Sequence, residues 1–188
     1  MSQESNKLYK LIKDVKIFSF ELGRDFKSDL LNNNHDFPVN GIYLMFEDGE
    51  DCNNQKRIVR VGINKRRSLI NRLDRHLNGP RGSSVFRLHL WNILAKDNGE
   101  DIVTDYIKNK ITFCIIIGPD DQQERAMLES KIIGTISNCK DCKPSSTWLG
   151  LRSKSRKIRE SGLWNVQHVF GENNLDKKDL DKIKLYEK

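Results

Sequence analysis

Features that the sequence lacks limit the class of protein it can encode. Among its 188 residues no apolar run approaches the roughly 18 residues that a membrane-spanning helix requires. The first residues, Met1 to Asn6, show neither the apolar segment nor the small-residue cleavage site of a secretory signal. We therefore expect a cytoplasmic protein with no membrane partner.

Cysteine is also scarce, and the four present are Cys52, Cys114, Cys139 and Cys142. In a cytoplasmic chain we expect them to be reduced. Cys139 and Cys142 have the spacing of half a zinc site, but a structural zinc site needs four ligands. Because Cys52 and Cys114 form no second pair and no histidine pair is suitably spaced, this spacing alone does not establish a zinc site.

Basic residues exceed acidic ones by 33 to 26, which gives a formal net charge of +7. Lysine and arginine release counterions when they neutralise phosphates, so this balance favours a polyanionic partner such as nucleic acid. A chain can also be basic through composition alone. The length suits one hydrophobic core with extensions.

Alternating apolar residues predict a small antiparallel sheet. Residues 41–46 and 57–63 read as neighbouring strands, with Val59, Val61 and Ile63 on one face. The polar stretch 47–56 between them predicts a turn or a long hairpin loop. The apolar run 111–117 predicts a third strand that is buried on both faces.

Apolar spacing and capping residues predict four helices around this sheet, at residues 66–77, about 84–95, 101–109 and about 121–136. The fold class expected is therefore α+β, with three antiparallel strands flanked by helices. The chain divides into four parts on this interpretation. They are an N-terminal extension (1–36), a core (37–137), a basic C-terminal part packed on the core (138–170) and a charged tail helix (171–188).

Glu129 is the most informative single residue. On a helical wheel it falls among Ala126, Ile132, Ile133 and Ile136, in the middle of the apolar stripe of its helix. A carboxylate directed toward a core costs several kcal/mol unless it is paired, protonated or bound to a metal. The sequence leaves two interpretations open, a buried ion pair with an arginine and a metal ligand at a cleft.

Three further side chains could serve a phosphodiester-cutting site. Arg72 and His76 are four residues apart and so lie on one side of their helix, where arginine can hold a phosphate and histidine can move a proton. Tyr43 is in a strand, opposite Ile42 and Leu44. Each also has an ordinary structural interpretation, as a solvated helix residue or a packed aromatic ring.

Taken together, these segments resemble the GIY-YIG nuclease superfamily. Gly41-Ile42-Tyr43 matches the first half of its motif, and Arg60-Val61-Gly62 stands where Tyr-Ile-Gly would be. The segment from Arg72 to His76 fits the family's helix with arginine and histidine. The segment from Met127 to Ile133 fits the helix with the metal-binding glutamate.

The resemblance implies a DNA endonuclease that uses one Mg²⁺ (or Mn²⁺) ion. By analogy Glu129 binds the metal, Tyr43 takes a proton from the attacking water, and Arg72 neutralises charge on the phosphate. His76 would relay that proton or position the water, and Asn165 would be the asparagine found late in many family sites. A restriction or defence role is one option, and a homodimer would suit a double-strand cutter.

Arg60 replaces the family's second tyrosine. Arginine cannot accept a proton, but it can stabilise the Tyr43 phenolate and hold a phosphate. We therefore expect catalysis through Tyr43, with a weakly active or inactive nucleic-acid-binding module as the alternative. The basic residues expected to track DNA phosphates, unless they are simply solvated, are Lys65, Arg66, Arg67, Arg152, Lys154 and Arg156.

Overall fold

The computed structural model of the protein describes residues 3–21, 25–65, 67–95 and 99–186. Within them an antiparallel sheet of five strands is ordered β1-β4-β2-β3, with β5 also paired to β4. The strands are β1 (Phe18–Ser19), β2 (Ile42–Cys52), β3 (Gln55–Ile63), β4 (Ile111–Ile117) and β5 (Lys184–Leu185). The predicted α+β class is confirmed, and β2, β3 and β4 correspond to the three strands expected.

The prediction of only three strands is wrong, because the chain's two ends each add a short strand to β4. Phe18 pairs with Phe113, and Leu185 pairs with Ile116 farther along the same edge. Two-residue strands are too short to show an alternating pattern. The predicted tail helix is accordingly confined to six residues, after which the chain enters β5.

Helices cover both faces of the sheet. They are α1 (Gln3–Leu11), α2 (Phe26–Asn33), α3 (Leu69–Leu77), α4 (Val85–Leu94), α5 (Asp101–Lys110), α6 (Gln122–Ser137), α7 (Arg156–Ser161) and α8 (Lys177–Lys182). Ser84 caps α4 through the backbone N–H of Arg87, and Asp121 caps α6. Both caps agree with the helix starts predicted from the sequence. No helix among the described residues is long and apolar enough to cross a membrane.

The β2–β3 hairpin is longer than the sequence predicted. The stretch 47–56 is not a loop, because the strands continue to a two-residue turn at Asn53 and Asn54. These asparagines have φ values of 52° and 60°, the left-handed conformation that tight hairpin turns require. The polar residues that suggested a loop include the buried Glu47 and Glu50 as well as the exposed Asp48.

A bulge in the hairpin changes the predicted facing of β3. Met45 pairs with Arg60, but the next residue of β2, Phe46, pairs with Ile58. The skipped Val59 therefore packs on the opposite face from Val61, contrary to strict alternation. A bulge re-aims side chains in this way.

The sheet separates two hydrophobic cores. One contains Tyr43, Met45 and residues of α3, α4 and α5. The other contains Ile42, Leu44 and residues of α1 and α6. Helices that approach from opposite faces can therefore bring their side chains together only at an edge of the sheet.

Two of the four cysteines are not reduced, which corrects the prediction. Cys52 forms a disulfide with Cys142, 90 residues farther along the chain, while Cys114 and Cys139 are free and buried. The extended hairpin carries Cys52 to the loop after α6, a proximity that local spacing does not indicate. Among the described residues no group of three or more potential metal ligands is present, so the cysteine spacing does not form a zinc site.

Candidate functional site

A cleft of about 630 Å³ lies where β3 ends, between α3, α6 and the segment after α7. Most of the residues predicted for the site line it. They are Tyr43, Arg60, Lys65, Arg67, Arg72, Glu129 and Asn165. The structure thus brings together residues from five separate stretches of the chain.

Tyr43 reaches the cleft because Gly62 makes room for its ring. The two residues pair across β2 and β3. A Cβ atom at position 62 would lie 2.1 Å from the Tyr43 hydroxyl oxygen and 2.3 Å from Cζ. Only glycine permits this approach, which explains physically why the glycine of the second motif half accompanies the tyrosine of the first.

His76 lies behind Tyr43 and does not line the cleft. It is fully buried, with Nε2 2.7 Å from the Tyr43 hydroxyl oxygen and Nδ1 2.9 Å from Ser84 Oγ. Burial holds the pKa of His76 well below its usual range, and the charges of Arg60, Arg72 and Arg75 lower it further. The low pKa of His76 favours its neutral imidazole, and its hydrogen bond with Tyr43 links it to the cleft.

Glu129 projects from α6 into the cleft, half-buried beside Ile133. Burial raises the pKa of its carboxyl, against the opposing effect of Arg60, Lys65 and Arg72. No ion pair or hydrogen bond joins it to another described residue. Of the two interpretations left open by the sequence, an ion pair with a described arginine is therefore not formed.

The donor set at Glu129 fits a magnesium ion. Glu129 is the one carboxylate among the described residues that line the cleft. Mg²⁺ typically takes one or two protein carboxylates and completes its shell with water and substrate phosphate oxygens. A site with a single protein ligand therefore suits Mg²⁺ or Mn²⁺, and does not suit a cation that needs a full protein cage.

Arg60 is buried at the back of the cleft. It donates one hydrogen bond to the backbone oxygen of Trp164 at 2.9 Å and packs over the ring of Phe86. Its Nε has no partner among the residues described. The same is true of Arg87 and Arg125, so it is the position of Arg60 in the lining of the cleft that makes its guanidinium available to an anion.

Asn165 is buried, and both ends of its amide are occupied. Its Oδ1 accepts the backbone N–H of Val61 at 3.0 Å, and its Nδ2 donates to the carbonyl of Val61 at 2.9 Å. Beside it, the backbone N–H of Trp164 donates to the carbonyl of Val59. This geometry holds the outer edge of β3 in place, and it leaves one N–H of the Asn165 amide unused by these two bonds.

The remaining predicted DNA contacts are placed differently. Arg66 lies outside the described residues. Arg152, Lys154 and Arg156 are exposed but do not line the cleft, and Arg156 is paired with Glu160 at 2.7 Å. Their contact with DNA stays a prediction, because a run of charges does not indicate which surface it covers.

The residues of the cleft that sequence reasoning missed include Arg75, Asn64 and His168. Arg75 follows Arg72 by three positions, a spacing that places both on one helix face and could have identified it. Asn64 is buried and ties the loop before α3 to Gly41 and Arg67 through its amide. His168 is exposed with φ of 63°, a backbone conformation that no pattern in the sequence signals.

The cleft combines a strand tyrosine, a buried arginine, exposed arginines and a carboxylate that has no ion pair or hydrogen bond to a described residue, a set of groups suited to binding a phosphate. The family model described as GIY-YIG domain matches residues 1–109 and 94–187. The chain therefore belongs to the GIY-YIG family, as the motif indicated, and this membership points to nuclease activity in general. No curated protein and no solved structure shows a significant match to the chain.

Proposed function

We propose that this protein is a metal-dependent DNA endonuclease whose active site is the cleft at the end of β3. The observation that carries the proposal is the carboxylate of Glu129, which has no ion pair or hydrogen bond to a described residue and shares the cleft with Tyr43, Arg60 and Arg72. A half-buried carboxylate that faces a cleft of cationic side chains is suited to binding a metal ion. Cleft, charge and family membership together support a metal ligand at this position.

The residues of the cleft divide the reaction among them. Tyr43 accepts a proton of the attacking water after its own hydroxyl proton has passed to solvent in the cleft. Arg60 and Arg72 neutralise charge on the phosphate as the new bond forms. Glu129 would hold Mg²⁺ or Mn²⁺, which when bound polarises the scissile phosphate and stabilises the leaving oxygen.

The charge of the cleft suits a nucleic-acid backbone. Its described lining contains five cationic side chains and one carboxylate. Lys65 and Arg67 are exposed beside the entrance to α3, where they can contact phosphates on either side of the scissile one. Selection of DNA, a restriction or defence role and assembly as a homodimer are parts of the proposal that the family membership alone does not supply.

Cleavage of supercoiled plasmid in Mg²⁺ or Mn²⁺ tests the proposal. We expect wild type to nick or linearise DNA, and Tyr43→Phe to reduce the rate by about 10²–10⁴ because the proton acceptor is lost. Glu129→Gln removes the metal ligand with little change of shape and should abolish cleavage. Glu124→Gln is the matched control, since Glu124 is on the same helix but exposed.

Two results would contradict the proposal. Cleavage that survives in Glu129→Gln would exclude this residue as the metal ligand. A wild-type protein that binds DNA in a salt-sensitive way but never cuts it would favour the alternative, a binding module on the same fold. The buried Arg60 in place of the second tyrosine is the specific feature that favours this alternative.

A further inference from the structure

Ser84 connects the start of α4 to the tyrosine of the cleft. Its Oγ accepts the backbone N–H of Arg87 at 3.0 Å, which is the N-terminal cap of α4. The same oxygen lies 2.9 Å from His76 Nδ1, and His76 Nε2 lies 2.7 Å from the Tyr43 hydroxyl oxygen. A continuous chain of hydrogen bonds thus runs from a helix cap to the candidate catalytic group.

The direction of these bonds follows from the hydrogens available. A serine hydroxyl has one hydrogen to donate and two lone pairs that accept. Ser84 is buried, and within the described structure Arg87 and His76 are the partners of its oxygen. Because the N–H of Arg87 can only donate, the Ser84 hydrogen has His76 Nδ1 as its acceptor.

The opposite arrangement leaves a buried hydrogen unused. If Nδ1 carried the proton, Ser84 would accept two hydrogen bonds and its own O–H would have no acceptor among the described residues. An unsatisfied buried polar group is destabilising, so this arrangement is disfavoured. Edge-on rings of Tyr43 and Phe86 on either side of His76 oppose a rotation of the imidazole that would relieve this.

We propose that Ser84 is a positioning residue that sets the tautomer of His76, so that Nε2–H donates to the Tyr43 oxygen and the Tyr43 hydrogen is directed into the cleft. The effect on catalysis rests on the proposed function, whereas the tautomer of His76 does not depend on it. In this arrangement a Tyr43 phenolate keeps a hydrogen-bond donor at its back. In the other tautomer Tyr43 would donate inward to His76 and have no fixed donor.

Two substitutions that are nearly isosteric with each other separate the role of Ser84 as a helix cap from its role as a donor to His76. Asparagine and aspartate both cap helices well. Ser84→Asn retains a donor toward His76 Nδ1, whereas the carboxylate of Ser84→Asp can only accept. A purely structural role as a cap predicts the same behaviour for both variants.

Nitrogen-15 NMR of histidine-labelled full-length protein reads the tautomer directly, with the His76 signals assigned by their loss in His76→Gln. We expect a bare Nδ1 and a protonated Nε2 in wild type and in Ser84→Asn, and a protonated Nδ1 in Ser84→Asp. A protonated Nδ1 in wild type would overturn the inference. So would the same tautomer in the aspartate and asparagine variants.

Plasmid cleavage then tests whether the tautomer matters. We expect Ser84→Asn to cut within about threefold of wild type and Ser84→Asp to cut at least about tenfold more slowly, with DNA binding unchanged in both. Equal cleavage by the two variants would remove the positioning role. If wild type cut no DNA, the proposed function would fail, while the NMR result would still decide the tautomer.

Discussion

Two clusters of buried charge lie at opposite ends of the β2–β3 hairpin, and they differ in how fully their polar atoms are bonded. In the distal cluster, which comprises Glu47, Glu50, Arg57, Trp148 and Trp164, each carboxylate is surrounded by donors. Arg57 gives Glu50 two hydrogen bonds, at 3.0 and 2.7 Å, and donates a third to a backbone carbonyl. Its guanidinium also lies 5.0 Å from the centre of the Trp148 ring.

Glu47 completes the distal cluster. It accepts hydrogen bonds from the indole N–H groups of Trp148 and Trp164, at 3.1 and 3.0 Å, and from the hydroxyl of Tyr106. Burial nevertheless raises the pKa of its carboxyl. These bonds link the hairpin to the C-terminal part of the chain, so the distal cluster stabilises the packing of these two parts.

At the cleft the same residue types are left incomplete. Glu129 has no partner within the described structure, and Arg60 has a buried Nε without one. Buried polar groups in native proteins are generally satisfied, and exceptions concentrate at functional sites. The fold itself completes the distal cluster, and the incomplete bonding at the cleft agrees with the proposal that a ligand binds there.

Breaking the distal cluster should have the largest effect on stability. Arg57→Ala leaves Glu50 buried without its charged partner, and we expect the free energy of unfolding to fall by about 3–5 kcal/mol. Chemical denaturation measures this. Arg156→Ala is the control, since it removes an arginine from an exposed pair and should change stability little.

A second substitution separates uncompensated charge from lost packing. Adding Glu50→Gln to Arg57→Ala should restore part of the stability, because the unpaired carboxylate is then gone. No recovery in the double variant would mean that Arg57 stabilises the cluster through its contact with Trp148 or its hydrogen bond to the Gly162 carbonyl, and not by compensating the charge of Glu50.

Gly62→Ala tests how the cleft is built. Since a Cβ there would overlap the Tyr43 ring, we expect a loss of about 1–3 kcal/mol from overpacking. Cleavage should fall by about a hundredfold, because the hydroxyl is displaced. Gly82→Ala is the matched control, as nothing lies within 4 Å of a Cβ at that position. An active Gly62→Ala protein would show that the tyrosine position is not critical.

The periodicity of apolar residues in the sequence predicted which way the side chains of Glu129 and Tyr43 face. Helical spacing directed Glu129 toward the sheet, and strand alternation placed Tyr43 opposite Ile42. The motif order then implied that both belong to one site, and the cleft contains them both. Such features are local or follow from a family resemblance, so they can be obtained without coordinates.

Features that depend on contacts between distant segments could not be predicted in this way. Spacing put His76 on the side of Arg72, but it gave no indication that Ser84 and Tyr43 would enclose the ring. The disulfide of Cys52 required a hairpin longer than its polar residues suggested. The Asn53-Asn54 turn is the exception, since asparagine tolerates positive φ and the pair could have been read as a tight turn.

The burial of the Glu129 carboxylate should make the free energy of unfolding depend on pH, and Glu129→Gln should remove this dependence. Burial raises the pKa of Glu129 in the folded protein above the ordinary value of 4.5. The unfolded chain therefore ionises first, so the stability contributed by this carboxyl is present below pH 4.5 and is lost as pH rises through the folded pKa. Wild type and variant should differ little in acid and diverge toward neutral pH.

At neutral pH we expect Glu129→Gln to be the more stable protein, by about 1 kcal/mol, although it is inactive. Denaturant unfolding at a series of pH values checks this, with Glu124→Gln as the exposed control. Loss of stability in Glu129→Gln at neutral pH would mean that the carboxylate is satisfied within the fold, which would remove the contrast with the distal cluster.

The smallest effect is expected at His168, which lines the cleft in a left-handed backbone conformation. Glycine adopts this conformation without a steric penalty but loses more entropy on folding, so His168→Gly should raise the free energy of unfolding by about 1 kcal/mol or less. His35→Gly is the control, because His35 is exposed without a positive φ and glycine there should destabilise. If the His168 side chain contributes to the cleft, this more stable variant should cut DNA more slowly. A variant that gains stability and keeps full cleavage would mean that the conformation of His168 serves only the path of the chain around α6. The incompletely bonded groups that matter for cleavage would then be Glu129 and Arg60.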